Sequence, residues 1–335
     1  MKKLFWFAAL IFFLILANIY LLVKIKKVKE NRALKSKAAV SQKANHQDSQ
    51  PVLNQEGKNQ KIVIAAVGDL GLGREVNWQI KTRQDPNFPF LKTAEILKEA
   101  NLAVANLESP LIKNCLPTRT GMKFCASPEL VEGLVFAGID LVNLANNHTD
   151  DYGQEGFEQT LEALNDYRIG YFGSGTIGRR DIDGRRIAFL GFDDTVQPTE
   201  EEEVAGQTEK SKKESDLVIV SFHWGVEYQK TPSQRQKELA HLAIDHGADL
   251  VIGHHPHVLQ PIEYYQGKLI LYSLGNFVFD QMWSRETRIG AIALITFEKG
   301  EQAKLELLPT LIKDCCQPEL ITEPEKSAII KQINI

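Results

Sequence analysis

The chain has 335 residues, of which 43% are hydrophobic and 24% are charged, an ordinary globular composition with room for one large domain or two small ones. Its net charge is −4, but the first 60 residues are basic and the rest of the chain is acidic. An acidic main region argues against nucleic acid as the partner.

The N-terminus begins with an apolar segment of membrane-spanning length. Residues Leu4 to Val23 are almost entirely apolar, and lysines flank them on both sides. About 20 such residues match the hydrocarbon thickness of a bilayer, which predicts a single-pass anchor over residues 1–23 that contacts membrane lipid. A cleaved signal peptide is the alternative, but it has a shorter apolar core and a small-residue cleavage site. Residues 24–60 are rich in Lys, Gln, Asn, Ser and Ala and predict a polar linker.

From Lys61 onward the pattern alternates between strand-like and helix-like segments. Helices are predicted for residues 90–100, 128–138, 154–167, 233–246 and 324–333. The charged residues Glu200 to Glu203 and Lys210 to Lys213 predict a solvated loop instead. Strands separated by helices up to about residue 253, followed by more closely spaced strands, predict an α/β domain with a mixed sheet or two packed sheets and helices outside.

Five strand-like apolar runs end in polar side chains that can bind a metal ion. Ligands in α/β sheets bind outside the carboxyl ends of the strands, so these side chains should share one site. A mixed set of carboxylate, amide and imidazole donors suits one or two divalent ions of Zn, Mn, Fe or Ni. The predicted ligands, in chain order, are Asp69, Glu108, Asn147, His223, His255 and His257.

Other polar residues near these strand ends have predicted roles in catalysis and substrate binding. His148 follows Asn147 and is placed to protonate a leaving group, while Asp151, or the adjacent Asp150, orients its ring. Arg74 and Asn276 are expected to contact the substrate.

The cysteines bear on the compartment of the domain. Cys115 and Cys125 bracket a loop after Glu108 and predict a disulfide-closed hairpin, with two free thiols as the alternative. Disulfides persist outside the cytosol. A disulfide would therefore place the domain outside the cytosol. By the positive-inside rule, in contrast, the basic flank after the anchor should lie in the cytoplasm.

Six motifs, in this order and spacing, resemble those of the CapA family of bacterial capsule and poly-γ-glutamate synthesis proteins. They are GDLGLGR, NLESPL, LANNHTDDYG, SFHWGVEY, GHHPHVLQPIE and YSLGNFVFDQ, and the resemblance covers residues 61–312, leaving residues 313–335 as a C-terminal tail. That family is similar to the calcineurin-like metallophosphatases. The resemblance therefore implies two packed mixed sheets flanked by helices, with Asp69 as the ligand on the first strand and Glu108 as the bridging acid.

The sequence departs from the metallophosphatase pattern at three points. Gly71 stands where those enzymes carry a histidine, and the bridging acid is Glu108 where they usually have aspartate. The last motif allows two registers, so His254 is an alternative to His255 as a ligand.

The resemblance also implies a location and a function. Members of the family are typically membrane-anchored with the domain outside the cytoplasm, which agrees with the cysteines. We expect a metal-dependent hydrolase or transferase that acts on phosphoester or γ-glutamyl bonds at the cell membrane. The alternative is a non-catalytic subunit that binds polymer or partner proteins in a complex for capsule synthesis and export.

Overall fold

A computed structural model describes residues 61–333 of the chain. The predicted anchor at residues 1–23 and the predicted linker at residues 24–60 lie outside the described residues and stay predictions. Within residues 61–333, none of the helices combines the length and the apolar character needed to cross a bilayer.

The described residues form 14 strands, most of them runs of Val, Ile, Leu, Phe and Ala, which favour strands. In chain order they are β1 (Ile62–Leu70), β2 (Leu102–Leu107), β3 (Leu141–Asn143), β4 (Gly170–Phe172), β5 (Gly178–Ile182), β6 (Arg185–Asp193), β7 (Leu217–His223), β8 (Leu250–His254), β9 (Ile262–Tyr265), β10 (Lys268–Leu271), β11 (Asn276–Val278), β12 (Ile289–Phe297), β13 (Lys304–Lys313) and β14 (Gln317–Leu320).

Seven α-helices and three short 3-10 helices connect the described strands. Ser233 caps one α-helix with a capping box: its hydroxyl accepts from the backbone N–H of Gln236 at 3.2 Å, and its own N–H donates to Gln236 Oε1 at 2.9 Å. The α-helices are α1 (Arg74–Arg83), α2 (Ala94–Lys98), α3 (Val131–Ala137), α4 (Gly153–Asp166), α5 (Glu201–Glu214), α6 (Gln234–Asp245) and α7 (Glu325–Ile333), and the 3-10 helices are Phe88–Phe90, Pro128–Leu130 and Glu286–Arg288.

The strands form two mixed sheets. The first has the order β14-β13-β12-β1-β2-β3-β4, and β11 also pairs with β1. Strands β1 to β4 and β11 are parallel, whereas β12 to β14 run in alternating directions. The second sheet has the order β5-β6-β7-β8-β10-β9, with four parallel central strands and antiparallel edge strands. The parallel strands of each sheet therefore end at a common edge.

Alternating side chains divide the interior into three layers. Ile64 of β1 and Ile219 of β7 lie in one buried cluster between the two sheets. The next residues along these strands, Ala65 and Val220, face away from each other toward the helices that cover the two outer surfaces. The predicted α/β architecture of two packed mixed sheets flanked by helices is confirmed.

The predicted solvated loop around residues 200–213 is wrong, because these residues form α5. Val204, Thr208 and Ser211 are buried at the three- and four-residue spacing of one helix face. Three glutamates occupy the first turn and two lysines the last, which is the arrangement that the helix dipole favours. The charges that suggested a loop therefore belong to the exposed face and ends of a helix.

The sheet continues past residue 312. Strand β14 pairs with β13 in antiparallel register, with Lys313 opposite Gln317. The predicted helix over residues 324–333 is confirmed as α7, which buries Ile329 and Ile333. The segment that the sequence assigned to a C-terminal tail thus supplies an edge strand and a packed helix.

The predicted disulfide between Cys115 and Cys125 is confirmed, with the two Cα atoms 5.9 Å apart. Both cysteines are buried. The side-chain amide of Asn77 on α1 donates to Cys115 Sγ at 3.2 Å and to the carbonyl of Cys125 at 3.4 Å. The closed loop is thereby attached to the first helix.

Replacing both cysteines, as Cys115→Ser with Cys125→Ser, should lower the free energy of unfolding by about 3 kcal/mol, because the unfolded chain regains the entropy of an open loop. Denaturant titration of the purified full-length protein without reductant measures this. Reductant should destabilise the wild type by a similar amount and leave the variant unchanged. Equal stability of the two proteins would contradict the prediction.

Candidate metal centre

The carboxyl ends of the parallel strands bring the predicted ligands together where the two sheets meet. In the first sheet, Asp69 at the end of β1 pairs in register with Asn106 of β2 and with Asn276 of β11. In the second sheet, His223 of β7 is opposite His254 of β8. The two edges touch directly, since His254 Nδ1 lies 3.0 Å from Asp69 Oδ1.

The side chain of Asn106, which the sequence analysis did not select, lies at the centre of this edge. Its amide nitrogen donates to Asp69 Oδ1 at 3.0 Å and to Glu108 Oε1 at 2.8 Å, and it lies 3.2 Å from His223 Nδ1. Its carbonyl oxygen accepts from Asn143 Nδ2 at 3.1 Å and from Asn146 Nδ2 at 3.4 Å. One amide therefore positions both carboxylates and is itself held by two further amides. Its two-residue spacing from Glu108 on a strand was the available signal, because it places both side chains on one face.

Three contacts from the end of β8 and the loop after it hold Asp69. Besides His254, the backbone N–H of His255 donates to Asp69 Oδ2 at 3.3 Å, and His257 Nδ1 lies 3.1 Å from the same oxygen. His255 and His257 have φ values of 93° and 56°, in the left-handed region that non-glycine residues seldom adopt. The loop thus turns His255 and His257 into the site, while His254 contacts Asp69 from the end of its strand.

In the part of the chain that the structure describes, two groups of side chains offer donor atoms within 4.8 Å of one another, close enough to hold a metal ion. One group is Asp69, Glu108 and His257, all buried; the other is Glu227, His255 and His257. Both include His257, and the second contains His255 rather than His254. The assignment of these residues as metal ligands stays a prediction.

Two buried atoms at this site are left without a hydrogen-bond partner among the described residues. They are Glu108 Oε2 and His255 Nδ1. An unpaired buried polar atom normally costs free energy, and a bound cation would remove that cost for a carboxylate oxygen. The donor set therefore fits a divalent ion, with Glu108 lying between His223, 3.7 Å from its Oε1, and His257, 3.9 Å from its Oε2.

The two buried carboxylates have opposite pKa shifts. Burial disfavours ionisation of Asp69, but its contacts with His254 and His257 outweigh this and hold its pKa well below the usual range. Burial and the negative charge of Asp69 raise the pKa of Glu108 well above its usual range. Two carboxylates that share one amide donor cannot both ionise easily without a cation between them.

Two of the predicted histidine ligands are held in the neutral form, which is the form that binds metal. Burial lowers the pKa of His223 well below its usual range, and burial together with the charge of His257 lowers the pKa of His255 to about 4. His223 Nε2 lies 3.0 Å from the side-chain oxygen of Asn147. His223 and Asn147 therefore contact each other directly, and their role as metal ligands stays a prediction.

His148 lies beside this group, in a contact network of its own. Its Nδ1 is 3.0 Å from Asp151 Oδ2, as expected for an orienting carboxylate. Its ring stacks on Phe124 of the disulfide-closed loop, with the centroids 3.8 Å apart and 16° between the planes. The backbone N–H of Phe124 donates to the same Asp151 oxygen at 2.6 Å. The Cys115–Cys125 loop therefore helps to orient His148.

The two predicted substrate contacts are engaged within the protein. Arg74 forms a two-pronged ion pair with Asp280 and lies over the ring of Phe124, 4.2 Å from its centroid. The side-chain amide of Asn276 donates to Gln281 at 3.0 Å and to the carbonyl of Thr287 at 2.9 Å, so that its oxygen faces His257 Nδ1 at 3.0 Å. Asn276 thus positions His257. The substrate-binding role of Arg74 and Asn276 stays a prediction.

Glu227 is the second residue that the sequence analysis missed. It lies four residues after His223 in the motif SFHWGVEY, in a turn rather than at a strand end. Gly71, in contrast, can offer no ligand, and a side-chain carbon added there would lie 2.5 Å from the ring of Phe279. The first-strand histidine of the metallophosphatase pattern is therefore absent from the sequence, and the packing at Gly71 leaves no room for it.

Comparison with known proteins gives consistent results. The family model described as "Bacterial capsule synthesis protein PGA_cap" matches residues 63–281. The chain is 32% identical over 311 residues to the capsule biosynthesis protein CapA of Bacillus anthracis, covering 84% of this chain and 75% of that protein. It is 33% identical over 292 residues to the PGA biosynthesis protein CapA of Bacillus subtilis, and the match covers 80% of this chain and 75% of that protein. The crystal structure of a hypothetical protein from Thermus thermophilus has a similar fold, with 18% sequence identity and a TM-score of 0.51. The match covers 74% of this chain and 98% of that protein.

The substitution Glu108→Gln should stabilise the metal-free protein relative to the wild type as the pH rises. The folded-state pKa of Glu108 lies well above its usual value of 4.5, so the stability contributed by its protonated form is present below pH 4.5 and is lost as the pH rises through the folded-state pKa. Glutamine does not titrate, so the variant should not lose stability as the pH rises. The substitution also removes a carboxylate ligand, so the affinity for metal should fall at least about tenfold.

Thermal unfolding in chelator between pH 4.5 and pH 8, with calorimetric metal titration, measures both effects of Glu108→Gln. The exposed Glu129→Gln change is the matched control, since it removes a carboxylate away from the site. A stability difference between wild type and Glu108→Gln that does not vary with pH would refute the assignment of a raised pKa.

Proposed function

The chain belongs to the family of bacterial capsule synthesis proteins PGA_cap, and on this premise we propose that it is a membrane-anchored, metal-dependent hydrolase or transferase acting on phosphoester or γ-glutamyl bonds. The observation that carries the proposal is the fully buried Glu108 carboxylate, whose Oε2 has no hydrogen-bond partner within residues 61–333 and faces His257 beside Asp69. A structural carboxylate would be paired, whereas a metal ligand needs a free oxygen.

Carboxylate, amide and imidazole donors suit one or two ions of Zn, Mn, Fe or Ni. A bound divalent ion would activate a water and stabilise the entering and leaving oxygens. The chain's own residues then orient the substrate and move the proton. His148 holds a proton for the leaving group, Asp151 fixes the ring by its contact with Nδ1, and Phe124 covers one face of the ring.

The proposed location is outside the cytoplasm, at the cell membrane. The Cys115–Cys125 disulfide supports this, because such bonds persist in oxidising compartments. The apolar segment of residues 1–23 would hold the protein in the lipid, and the matched relatives are named for capsule or PGA biosynthesis. Other subunits of capsule or poly-γ-glutamate synthesis are the proposed protein partners.

A non-catalytic role in binding polymer or partner proteins is the second candidate. Trp283 is 63% exposed and Tyr228 is 42% exposed, and their rings meet edge to face with centroids 6.0 Å apart. Tyr228 also lies 6.4 Å from the ring of His257, so this aromatic pair borders the metal centre. A relative in Mycobacterium tuberculosis, 27% identical over 302 residues, is named a probable polyglutamine synthesis accessory protein.

Replacing His148 with alanine should leave the metal content unchanged and slow hydrolysis by about 10²–10⁴, the usual contribution of a positioned general acid. Metal analysis and turnover of an activated phosphoester and a γ-glutamyl anilide by the full-length protein measure the two effects. His246→Ala, at the end of α6, is the control, because that ring pairs with Glu209.

A His148→Ala protein with wild-type turnover would remove His148 from the mechanism. A fully metal-loaded wild type without turnover on either substrate would favour the binding role instead. In that case Trp283→Ala should weaken the binding of poly-γ-glutamate.

A further inference from the structure

We infer that Glu227 is a metal ligand which, together with His255 and His257, forms an outer ion position beside the buried Asp69 and Glu108 carboxylates. This inference deepens the proposed function and rests on it, since it concerns the metal at the same site. It assigns a ligand that comes from the turn after β7 rather than from the end of a strand.

The donor geometry is the first argument. One carboxylate oxygen of Glu227 and one nitrogen from each of His255 and His257 lie within 4.8 Å of one another. Such spacing allows all three atoms to contact one ion. Glu227 is half-buried, whereas Asp69 and Glu108 are fully buried, so this position lies nearer the solvent.

The free atom of His255 is the second argument. His255 is only 8% exposed, and its Nδ1 is buried without a hydrogen-bond partner among the described residues. A buried ring nitrogen in a polar site normally has a partner, because desolvation without one costs free energy. An ion held jointly with Glu227 supplies that partner.

The orientation of His257 is the third argument. Its Nδ1 lies 3.0 Å from the side-chain oxygen of Asn276, whose amide nitrogen is already bonded to Gln281 and to the carbonyl of Thr287, and 3.1 Å from Asp69 Oδ2. An imidazole that donates Nδ1–H to an oxygen presents Nε2 as a free acceptor. The contact of Asn276 with Nδ1 thus orients the His257 ring so that Nε2 is available as a ligand atom.

Hydrogen bonds between two segments fix the place of Glu227. The backbone N–H of Trp224 donates to the carbonyl of His254 at 3.1 Å, and that of Tyr228 donates to the carbonyl of Pro256 at 2.8 Å. Gly225 between them has φ of 79°, a conformation that favours glycine. The turn carrying Glu227 is therefore tied on both sides to the segment that carries the two histidines.

The ligand that a first-strand histidine would provide is absent here, since Gly71 stands at that position and the ring of Phe279 fills the adjacent space. That ring lies 4.9 Å from the ring of His257. Glu227 approaches His257 from another element and supplies a carboxylate oxygen. Mixed carboxylate and imidazole donors suit Zn²⁺ or Mn²⁺.

The test is the metal stoichiometry of the full-length protein with Glu227→Gln, which keeps the size of the side chain and removes its charge. Titration with Zn²⁺ and separately with Mn²⁺, followed by calorimetry and elemental analysis, should show one equivalent fewer than the wild type, or an affinity about 100-fold weaker for that equivalent. The exposed Glu238→Gln on α6 should bind metal as the wild type does.

A double-mutant cycle gives a readout that a merely structural role would not reproduce. If Glu227 and His255 hold the same ion, Glu227→Gln with His255→Gln should lose no more metal than either single change. Wild-type stoichiometry and affinity in Glu227→Gln, or additive losses in the double variant, would overturn the inference. A wild type that binds neither metal would instead overturn the proposed function itself, so the two failures are distinguishable.

Discussion

The structure of the site depends on two carboxylates buried side by side and joined by one amide. Asp69 and Glu108 are both fully buried, and Asn106 donates to each of them. Burial alone would keep both protonated, yet contacts with histidines of the other sheet hold the pKa of Asp69 low, while the charge of Asp69 keeps that of Glu108 high. The negative charge of Asp69 is therefore compensated by nearby histidines, whereas a negative charge on Glu108 is not. The surrounding amides and imidazoles contact these two carboxylates.

The fold explains why this arrangement can form in an apolar interior. Each sheet buries its strands between a shared core and a helical layer, so that polar groups concentrate where the parallel strands end. Asp69 belongs to the first sheet and His254 to the second, and their contact joins the two edges directly. The loop closed by the disulfide then adds Phe124 against His148. The candidate metal centre and the proposed proton donor are thus supported by separate parts of the chain.

Much of this could be predicted from the sequence, because strand ends follow from apolar runs. Asp69, Glu108 and His223 each follow such a run, and their convergence needs only the rule that parallel strands share an edge. Asn106 was missed because it looks like an ordinary strand residue until its contacts with Asp69, Glu108 and His223 are seen. Glu227 was missed because it lies in a turn whose path depends on backbone bonds to a distant segment. Helix α5 was missed because its exposed charges concealed a narrow buried face of small residues.

The long separation of the site residues along the chain has a consequence for folding. Strand β1 pairs with β11 and β12, more than 200 positions later, and Asp69 meets His254 only when both sheets are in place. Contacts of such high sequence separation form slowly, because the loop-closure entropy is lost before the contacts compensate it. An ion that needs donors from both sheets has no assembled site in the unfolded chain. The ion would therefore bind only the folded domain, and its binding would slow unfolding much more than it accelerates folding.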